Sequence, residues 1–95
     1  MKAIVLGGTS GIGRAISKRL KKHCKTIATG RKEVDTSSLE SVERFILKNQ
    51  RPNILILNTG GPPDEDFGKI TDEMWLENFN KLFLSFAKII KEINV

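Results

Sequence analysis

The sequence contains no tyrosine, only one cysteine and no apolar run longer than four residues. Runs this short exclude a helix that spans a membrane. The single Cys24 cannot form a disulfide within the chain, which is typical of proteins of the reducing cytoplasm. Lys2 and a short apolar run begin the chain, but Gly7 interrupts the run too early for a signal peptide. We therefore predict a cytoplasmic protein that has no membrane partner.

Patterns of metal ligands are also missing. His23 and Cys24 are adjacent, but the chain has no second pair of histidines or cysteines, which a zinc site would need. A length of 95 residues allows at most one small domain. We expect a single domain over residues 1–95 and no metal site.

Acidic residues are absent from residues 1–32, which contain nine lysines and arginines. Residues 33–95 contain seven lysines and arginines but eleven acids, so the two parts carry net charges of +9 and −4. The basic part favours an anionic ligand. A nucleic-acid-binding protein that uses Lys18–Lys25 is a remote alternative, because no recognition fold and no exposed aromatic stacking residues accompany these lysines. We predict no nucleic-acid partner.

The segment around which the sequence is organised is a glycine-rich loop over residues 7–13, with the sequence GGTSGIG. It follows the apolar run Ala3–Leu6, which predicts a buried strand, and it precedes a helical pattern. Glycines have no Cβ, so the backbone can turn sharply and approach a ligand closely. The helix would point unpaired N–H groups and the positive end of its dipole at the loop. Strand, loop and helix together predict a phosphate site.

Two kinds of phosphate loop compete for this segment. The P-loop pattern is G-x-x-x-x-G-K-[S/T], and residues 8–13 have its glycine spacing. Arg14-Ala15 follows, so the lysine and the hydroxyl that hold the phosphates and Mg²⁺ are missing. Gly7, Gly11 and Gly13 form G-x-x-x-G-x-G, a wider version of the dinucleotide loop G-x-G-x-x-G, in the same position between strand and helix. The predicted ligand is therefore a dinucleotide.

Hydrophobic periodicity predicts three strand–helix pairs. The predicted strands are Lys2–Leu6, Lys25–Thr29 and Asn53–Asn58. The predicted helices run from Ser10 or Gly11 to about His23, from Ser38 to about Asn49, and from Asp72 to Asn94. This alternation predicts an α/β fold: a Rossmann-like three-layer sandwich, with a short parallel sheet in the order 2-1-3 and helices on both faces.

The burial and the ends of these elements are also predicted. The third strand is apolar on both faces, as an internal strand of a parallel sheet is. A capping box from Ser37 to Glu40 is expected to begin the second helix, and Thr71 is expected to cap the third. The first two helices are expected to bury the following residues at helical spacing: Ile12, Ala15, Ile16 and Leu20 in the first, and Leu39, Val42, Phe45 and Ile46 in the second.

The third helix carries more apolar surface than one sheet can cover. We expect its surplus residues to pack against another copy of the chain, which predicts a homo-oligomer formed through the helix Asp72–Asn94. The chain stops where a fourth strand would follow, so we expect the first half of a larger α/β domain. The expected surplus residues are Phe83, Phe86, Ile90 and Ile93.

Three stretches resemble the short-chain dehydrogenase/reductase family. Residues 4–16 look like the cofactor loop of that family, T-G-x-x-x-G-I-G, with Leu6 in place of its threonine. The stretch 57–60, with the sequence LNTG, resembles its second motif, N-N-A-G. Asp35-Thr36 resembles the aspartate that contacts adenine. The motifs occur in the family's order, and the resemblance runs over essentially the whole chain. It implies the NAD(P)-binding N-terminal portion of an oxidoreductase that transfers hydride to or from a carbonyl or alcohol in the complete protein.

The resemblance also implies roles for individual residues. Asp35 would bind the adenine amino group. Arg31, after the second strand, would accommodate the 2′-phosphate of NADP, because its fork of donors suits phosphate oxygens, so NADP is favoured over NAD. Asn58 has an alternative role as a tether at the end of its strand. The residues that would wrap the pyrophosphate are Gly7, Thr9, Ser10, Gly11, Ile12 and Gly13. Those that would line the adenosine and ribose are Asn58, Thr59 and Gly60.

The residues that perform the family's reaction are not found in this sequence. The family uses a serine, a tyrosine and a lysine in the second half of its fold, and an asparagine in the long helix. The sequence has no tyrosine, and Leu82 stands at the position of that asparagine, seven residues after Trp75. We predict no catalytic residue here, and a small-molecule substrate only where the missing half is present. A non-catalytic nucleotide-binding or assembly module is the alternative.

Overall fold

The computed structural model describes residues 1–59 and 66–93. In this part of the chain, three parallel strands form one sheet in the order β2-β1-β3. The predicted α/β class and strand order are confirmed. The strands are β1 (Lys2–Leu6), β2 (Lys25–Thr29) and β3 (Ile54–Ile56). The α-helices are α1 (Gly11–Leu20), α2 (Leu39–Lys48), α3 (Asp72–Phe79) and α4 (Ser85–Glu92), with a 3-10 helix at Phe67–Lys69 and a π-helical turn at Asn80–Leu84.

The strand β1 lies at the centre of the sheet. It pairs with β2 from Lys2 to Leu6 and with β3 from Ala3 to Val5. The side chains of β3 are half-buried, whereas β1 is buried after Lys2. The prediction of a strand buried on both faces is therefore wrong for β3. It lies at an edge of the described sheet, where a strand has a neighbour on one side only.

The main core lies between the sheet and the helices α2 and α4. Ile4 and Leu6 face it, because alternate residues of a strand point to the same side. The predicted inward face of α2 is confirmed, with Leu39 half-buried and the other three residues buried. The helix α1 contacts β1 and β2 on the opposite face, which gives the predicted three layers. The buried core residues are Ile4, Leu6, Val34, Val42, Phe45, Ile46, Ile89 and Ile93.

The buried face of α1 differs from the predicted one. Ile12 is 74% exposed and Ala15 is also exposed, so the prediction is wrong for these two residues. Gly13 and Ser17 are buried instead. A Cβ at position 13 would overlap the carbonyl oxygen of Gly7, so small residues bring α1 close to the loop, whereas the predicted Ile16 and Leu20 are half-buried. The helix ends at Leu20 and does not continue to His23.

The N-terminus of α2 is capped by Ser38, not by Ser37. The Ser38 hydroxyl accepts a hydrogen bond from the Ser41 N–H at 3.2 Å. Ser37 donates both its N–H (3.0 Å) and its hydroxyl (2.6 Å) to one Asp35 oxygen. The predicted capping box from Ser37 to Glu40 is therefore wrong, because Asp35 engages Ser37 and Glu40 forms an ion pair with Arg44.

The predicted third helix is interrupted in its middle. Thr71 caps its start as predicted, since its hydroxyl accepts from the Met74 N–H at 3.2 Å. The α-helical hydrogen bonding stops after Phe79 and resumes at Ser85. The five residues between them form a π-helical turn, which takes up about one residue more per turn than an α-helix and shifts the faces before and after it. The described helix ends at Glu92, and Asn94 lies outside the described residues.

Two of the four predicted surplus residues are not surplus in the structure. Ile93 is buried in the core and Phe86 packs partly against it, so neither is surplus. Phe83 and Ile90 are 62% and 63% exposed, in agreement with the prediction. The exposed apolar face continues towards the start of α3, where Trp75, Leu76 and Phe79 are also exposed.

Candidate functional site

The glycine-rich loop packs against the end of β3. Gly7 and Gly11 have φ angles of +66° and +56°, in the left-handed region that favours glycine. A Cβ at position 7 would overlap the backbone oxygen of Asn58, and one at position 13 would lie 2.9 Å from the Asn58 side-chain nitrogen. Glycine at positions 7 and 13 therefore lets the loop, α1 and Asn58 meet without an intervening side chain.

The start of α1 differs from the starts of the other α-helices that follow a serine or threonine. Ser38 and Thr71 accept hydrogen bonds from the first turns of α2 and α3. Ser10 precedes α1 with an extended backbone, and its hydroxyl makes no capping hydrogen bond among the described residues. Nothing lies within 4 Å of the place where a Cβ of Gly11 would be. The first turn of α1 thus has open space and donors for an anion.

The loop also contacts the turn that follows β2. The Gly8 N–H donates to the Thr29 carbonyl oxygen at 2.9 Å. A Cβ at position 30 would lie 2.6 Å from the Thr9 hydroxyl oxygen, so the two turns lie directly against each other. The carboxyl ends of parallel strands meet at one edge of a sheet, which is where open α/β sheets bind ligands.

A cleft of about 220 Å³ opens at this edge. It brings together most of the predicted site residues from three separate segments of the chain. The predicted residues that line it are Gly7, Thr9, Ser10, Arg31, Asp35, Asn58 and Thr59. The lining residues that sequence reasoning did not identify are Leu6, Gly30, Val34, Thr36 and Lys81.

Three predicted site residues do not line the described cleft. Gly13 is buried beneath the loop, and Gly11 and Ile12 are exposed at the start of α1. Gly60 lies outside the described residues. Among the residues that were missed, most adjoin a predicted one in sequence and could have been found by that adjacency. Lys81 belongs to the distant third helix, and no local pattern marks it.

Asp35 is held as a carboxylate at the mouth of this cleft. The hydrogen bond from the Ser37 hydroxyl holds the pKa of Asp35 below its ordinary range, although partial burial acts in the opposite direction. The charges of Arg31 and Lys81 lower this pKa further. The Asp35 N–H donates to the Ser41 hydroxyl at 2.9 Å, which ties the residue to α2. A fixed, ionised Asp35 can accept a hydrogen bond from an amino group.

The turn after β2 carries charges of both signs. The Glu33 carboxylate accepts a hydrogen bond from the Gly30 N–H at 2.7 Å. Glu33 lies on a different surface, together with Lys32 and Arg44, whereas Arg31 lines the cleft. Of the three charged residues in this turn, Arg31 lines the cleft, and Lys32 and Glu33 do not.

Residues 1–59 and 66–93 contain no helix of the length and hydrophobicity that a membrane crossing requires. The same ranges hold no group of three or more histidine, cysteine, aspartate or glutamate side chains placed to bind a metal ion.

The chain was compared with known proteins. No family model matches it, and no curated protein matches it. Several solved structures are similar in fold, including the following three. One is assigned as a betaketoacyl-ACP reductase, with a TM-score of 0.88 at 19% identity, over 98% of this chain and 47% of that one. The protein lin1944 from Listeria innocua has a TM-score of 0.80 at 20% identity, over 99% and 51%. The L-sorbose reductase of Gluconobacter frateurii, complexed with NADPH and L-sorbose, has a TM-score of 0.75 at 19% identity, over 97% and 45%.

The likeness to these structures shows the fold. The chain spans about half the length of the structures that it matches. It has a partial Rossmann-like fold with the strand order of short-chain reductases, so the resemblance predicted from the motifs is confirmed for the fold.

Proposed function

We propose that the chain is the NADP-binding N-terminal portion of a short-chain oxidoreductase. The observation that carries this proposal is the cleft at the carboxyl edge of the sheet, where the glycine loop faces Arg31 and Asp35. The similarity in fold to a reductase complexed with NADPH supports it. When bound, the nicotinamide cofactor would supply the hydride chemistry of the complete protein.

The cleft residues fit the parts of such a cofactor. The loop from Gly7 to Gly13 and the uncapped first turn of α1 would hold the pyrophosphate through backbone N–H groups. The ionised Asp35 would accept from the adenine amino group. Asn58 and Thr59, at the end of β3, would line the adenosine and ribose, and Gly60 belongs to the same proposed segment.

NADP is favoured over NAD because of Arg31. A guanidinium presents a planar fork of donors that matches the oxygens of a 2′-phosphate. In NAD-binding sites of this kind an acidic residue at this turn holds the ribose hydroxyls instead. The nearest acid, Glu33, accepts from the Gly30 N–H and does not line the cleft. Arg31 is the charged residue of this turn that lines the cleft, which supports binding of NADP over NAD.

Calorimetric titration of the full chain with NADP and NAD tests both parts of the proposal. Arg31→Ala should weaken NADP binding by about tenfold or more, since it removes a charged hydrogen bond, and should change NAD binding much less. Arg31→Asp should shift the preference towards NAD. Arg19→Ala is a matched control, because Arg19 is exposed on α1 and does not line the cleft. Equal losses for both nucleotides would contradict the assignment of NADP. A wild-type chain that binds neither at millimolar concentration would overturn the cofactor role.

Hydride transfer to a substrate is proposed only for a complete protein. The reaction of the family needs a serine, a tyrosine and a lysine, and this sequence contains no tyrosine. In the described helix, the half-buried Leu82 stands where the family has an asparagine. Substrate contacts and proton transfer are therefore assigned to residues outside this chain. A non-catalytic nucleotide-binding module makes the same prediction for cofactor affinity but predicts no turnover in any longer form of the protein.

We also propose that the third helix mediates self-association. Trp75 is 50% exposed and Leu76 is 65% exposed. Phe79 and Phe83 stack on each other at 5.4 Å between ring centroids, and both are more than half exposed. A contiguous aromatic face on one helix is typical of a surface that another chain covers, and a second copy of this chain presents the same face.

Light scattering coupled to size exclusion tests this association. The wild-type chain should form a dimer or a larger oligomer at micromolar concentration. Phe79→Lys should shift it towards the monomer, because a charge would enter the aromatic contact. Leu47→Lys serves as the control, since Leu47 is 80% exposed and belongs to a different helix, α2. A wild-type monomer, or equal effects of both variants, would contradict the proposed contact.

A further inference from the structure

Lys81 reaches the cleft from the π-helical turn between α3 and α4. It is half-buried and lines the cleft together with Arg31 and Asp35. Its charge acts on Asp35, although among the described residues no carboxylate lies within ion-pair distance of it. Lys88, seven residues later on the same helical segment, is instead paired with Glu43 and Glu92 at 3.2 Å. The ammonium of Lys81 is therefore available to a ligand in the cleft.

The position of Lys81 follows from how the helix is docked. Ser85 is fully buried and donates its hydroxyl to the carbonyl oxygen of Thr36, which also lines the cleft. Lys81 lies four residues before Ser85, in the π-helical turn that leads into α4, so the docked helix carries it. The hydrogen bond to Thr36 thus brings Lys81 next to Asp35. π-Helical turns within α-helices are frequent at functional sites.

The charge of the cleft depends on this residue. The charged residues that line it in the described ranges are Arg31, Asp35 and Lys81. Arg31 and the ionised Asp35 have opposite charges and offset each other over the scale of the cleft. Lys81 supplies the remaining positive charge, which attracts an anionic ligand.

We propose that Lys81 is a specificity-determining residue that selects phosphorylated ligands through its positive charge in the cleft, which attracts the phosphates common to NAD and NADP. This inference rests on the proposed cofactor-binding function and deepens it. Arg31 would distinguish the two dinucleotides by the 2′-phosphate, whereas Lys81 would distinguish both of them from an uncharged nucleoside. The two cations therefore have separable effects.

The test compares Lys81→Met with Lys91→Met in calorimetric titrations of the full chain. Both variants lose one positive charge on the same helical segment, but Lys91 is exposed and does not line the cleft. The probes are NADP, NAD, inorganic pyrophosphate and adenosine, each at low and high NaCl. Thermal unfolding of each variant establishes that the fold is intact, and Lys81→Arg preserves the charge.

Lys81→Met should lower the affinities for NADP, NAD and pyrophosphate by similar factors, about three- to tenfold at low salt, as the loss of one nearby charge predicts. The factor should shrink at high salt, because ions screen a partly exposed charge. Adenosine binding should not change, and Lys81→Arg should retain most of the affinity. The Lys91→Met variant should bind every probe as the wild type does.

Two results would overturn the inference. One is equal affinity of the Lys81→Met and Lys91→Met variants for NADP, NAD and pyrophosphate. The other is a loss of adenosine binding as large as the loss of dinucleotide binding, which would indicate a structural effect. A wild type that binds pyrophosphate through Lys81 but no dinucleotide would overturn the proposed function and leave the anion contact standing. A wild type that binds no phosphorylated probe would overturn both.

Discussion

The buried Ser85 hydroxyl donates a hydrogen bond to the carbonyl oxygen of Thr36, 49 residues earlier in the chain. This contact joins α4 to the segment after β2 that forms one wall of the cleft. A second link of α4, the ion pair of Lys88 with Glu43 of α2 at 3.2 Å, is partly exposed, and such pairs contribute little. We infer that Ser85 contributes more than this ion pair to the position of α4 beside the cleft.

Replacement of this hydroxyl should lower stability. Ser85→Ala leaves the Thr36 carbonyl oxygen without its partner in a buried position. The free energy of unfolding should fall by about 1–3 kcal/mol, measured by urea denaturation. Because the wall of the cleft loses its tether, nucleotide affinity should also fall.

Ser17 provides the matched control for this experiment. It is buried, as Ser85 is, but its hydroxyl has no hydrogen-bond partner among the described residues. Ser17→Ala removes an unsatisfied polar group, so stability should stay the same or rise by up to about 1 kcal/mol. A loss as large as that of Ser85→Ala would show that the hydrogen bond is not what distinguishes the two sites.

Truncation of two adjacent isoleucines on α4 should lower stability to very different extents. Ile89 is fully buried in the core, whereas Ile90 is 63% exposed. Ile89→Ala leaves a cavity and should lower the free energy of unfolding by about 2–5 kcal/mol. Ile90→Ala should change it by less than about 0.5 kcal/mol. Comparable losses in chemical denaturation would contradict the register of α4, or would show that Ile90 is covered by another chain.

The loop should not accept a side chain at position 13. Gly13→Ala places a Cβ on the carbonyl oxygen of Gly7, so the loop or α1 must move. We expect a loss of more than about 2 kcal/mol of stability, in the range of other severe steric substitutions, and a loss of nucleotide binding. Gly68→Ala is the control, because nothing lies within 4 Å of a Cβ there, and it should be close to neutral. Unchanged urea midpoints for Gly13→Ala would contradict the close contact.

Asp35 should make stability depend on pH in the acidic range. The hydrogen bond from Ser37 lowers its folded-state pKa, so the folded chain binds this proton more weakly than the unfolded chain does. The resulting stabilisation is fully present above the unfolded pKa, about 4 for aspartate, and is lost as the pH falls through the lower folded pKa. In urea denaturation, the difference in the free energy of unfolding between the wild type and Asp35→Asn should shrink below about pH 4. Parallel curves down to about pH 2.5 would contradict this assignment.

The parts of the fold that were predicted correctly are determined by residues that lie close together in the sequence. Four apolar residues before a glycine predicted β1 to the residue, and helical spacing predicted the buried face of α2. The same reasoning was wrong for Ile12 and Ala15, because α1 packs on the loop and sheet through the small residues Gly13 and Ser17. It was also wrong for Ser37, because the Ser37 hydroxyl donates to the Asp35 carboxylate and Ser38 caps α2 instead.

The sequence by itself determined the order of strands and helices and the glycine loop, because strand and helix periodicity and the absence of a Cβ act over a few residues. Only the tertiary structure decided which side chains meet at the cleft. Asn58 packs on Gly7 because parallel strands end at one edge of the sheet. Lys81 lines the same cleft as Asp35 because a π-helical turn and the Ser85–Thr36 hydrogen bond set the position of a helix from the far end of the chain. Such contacts depend on packing between distant segments, which no local pattern encodes.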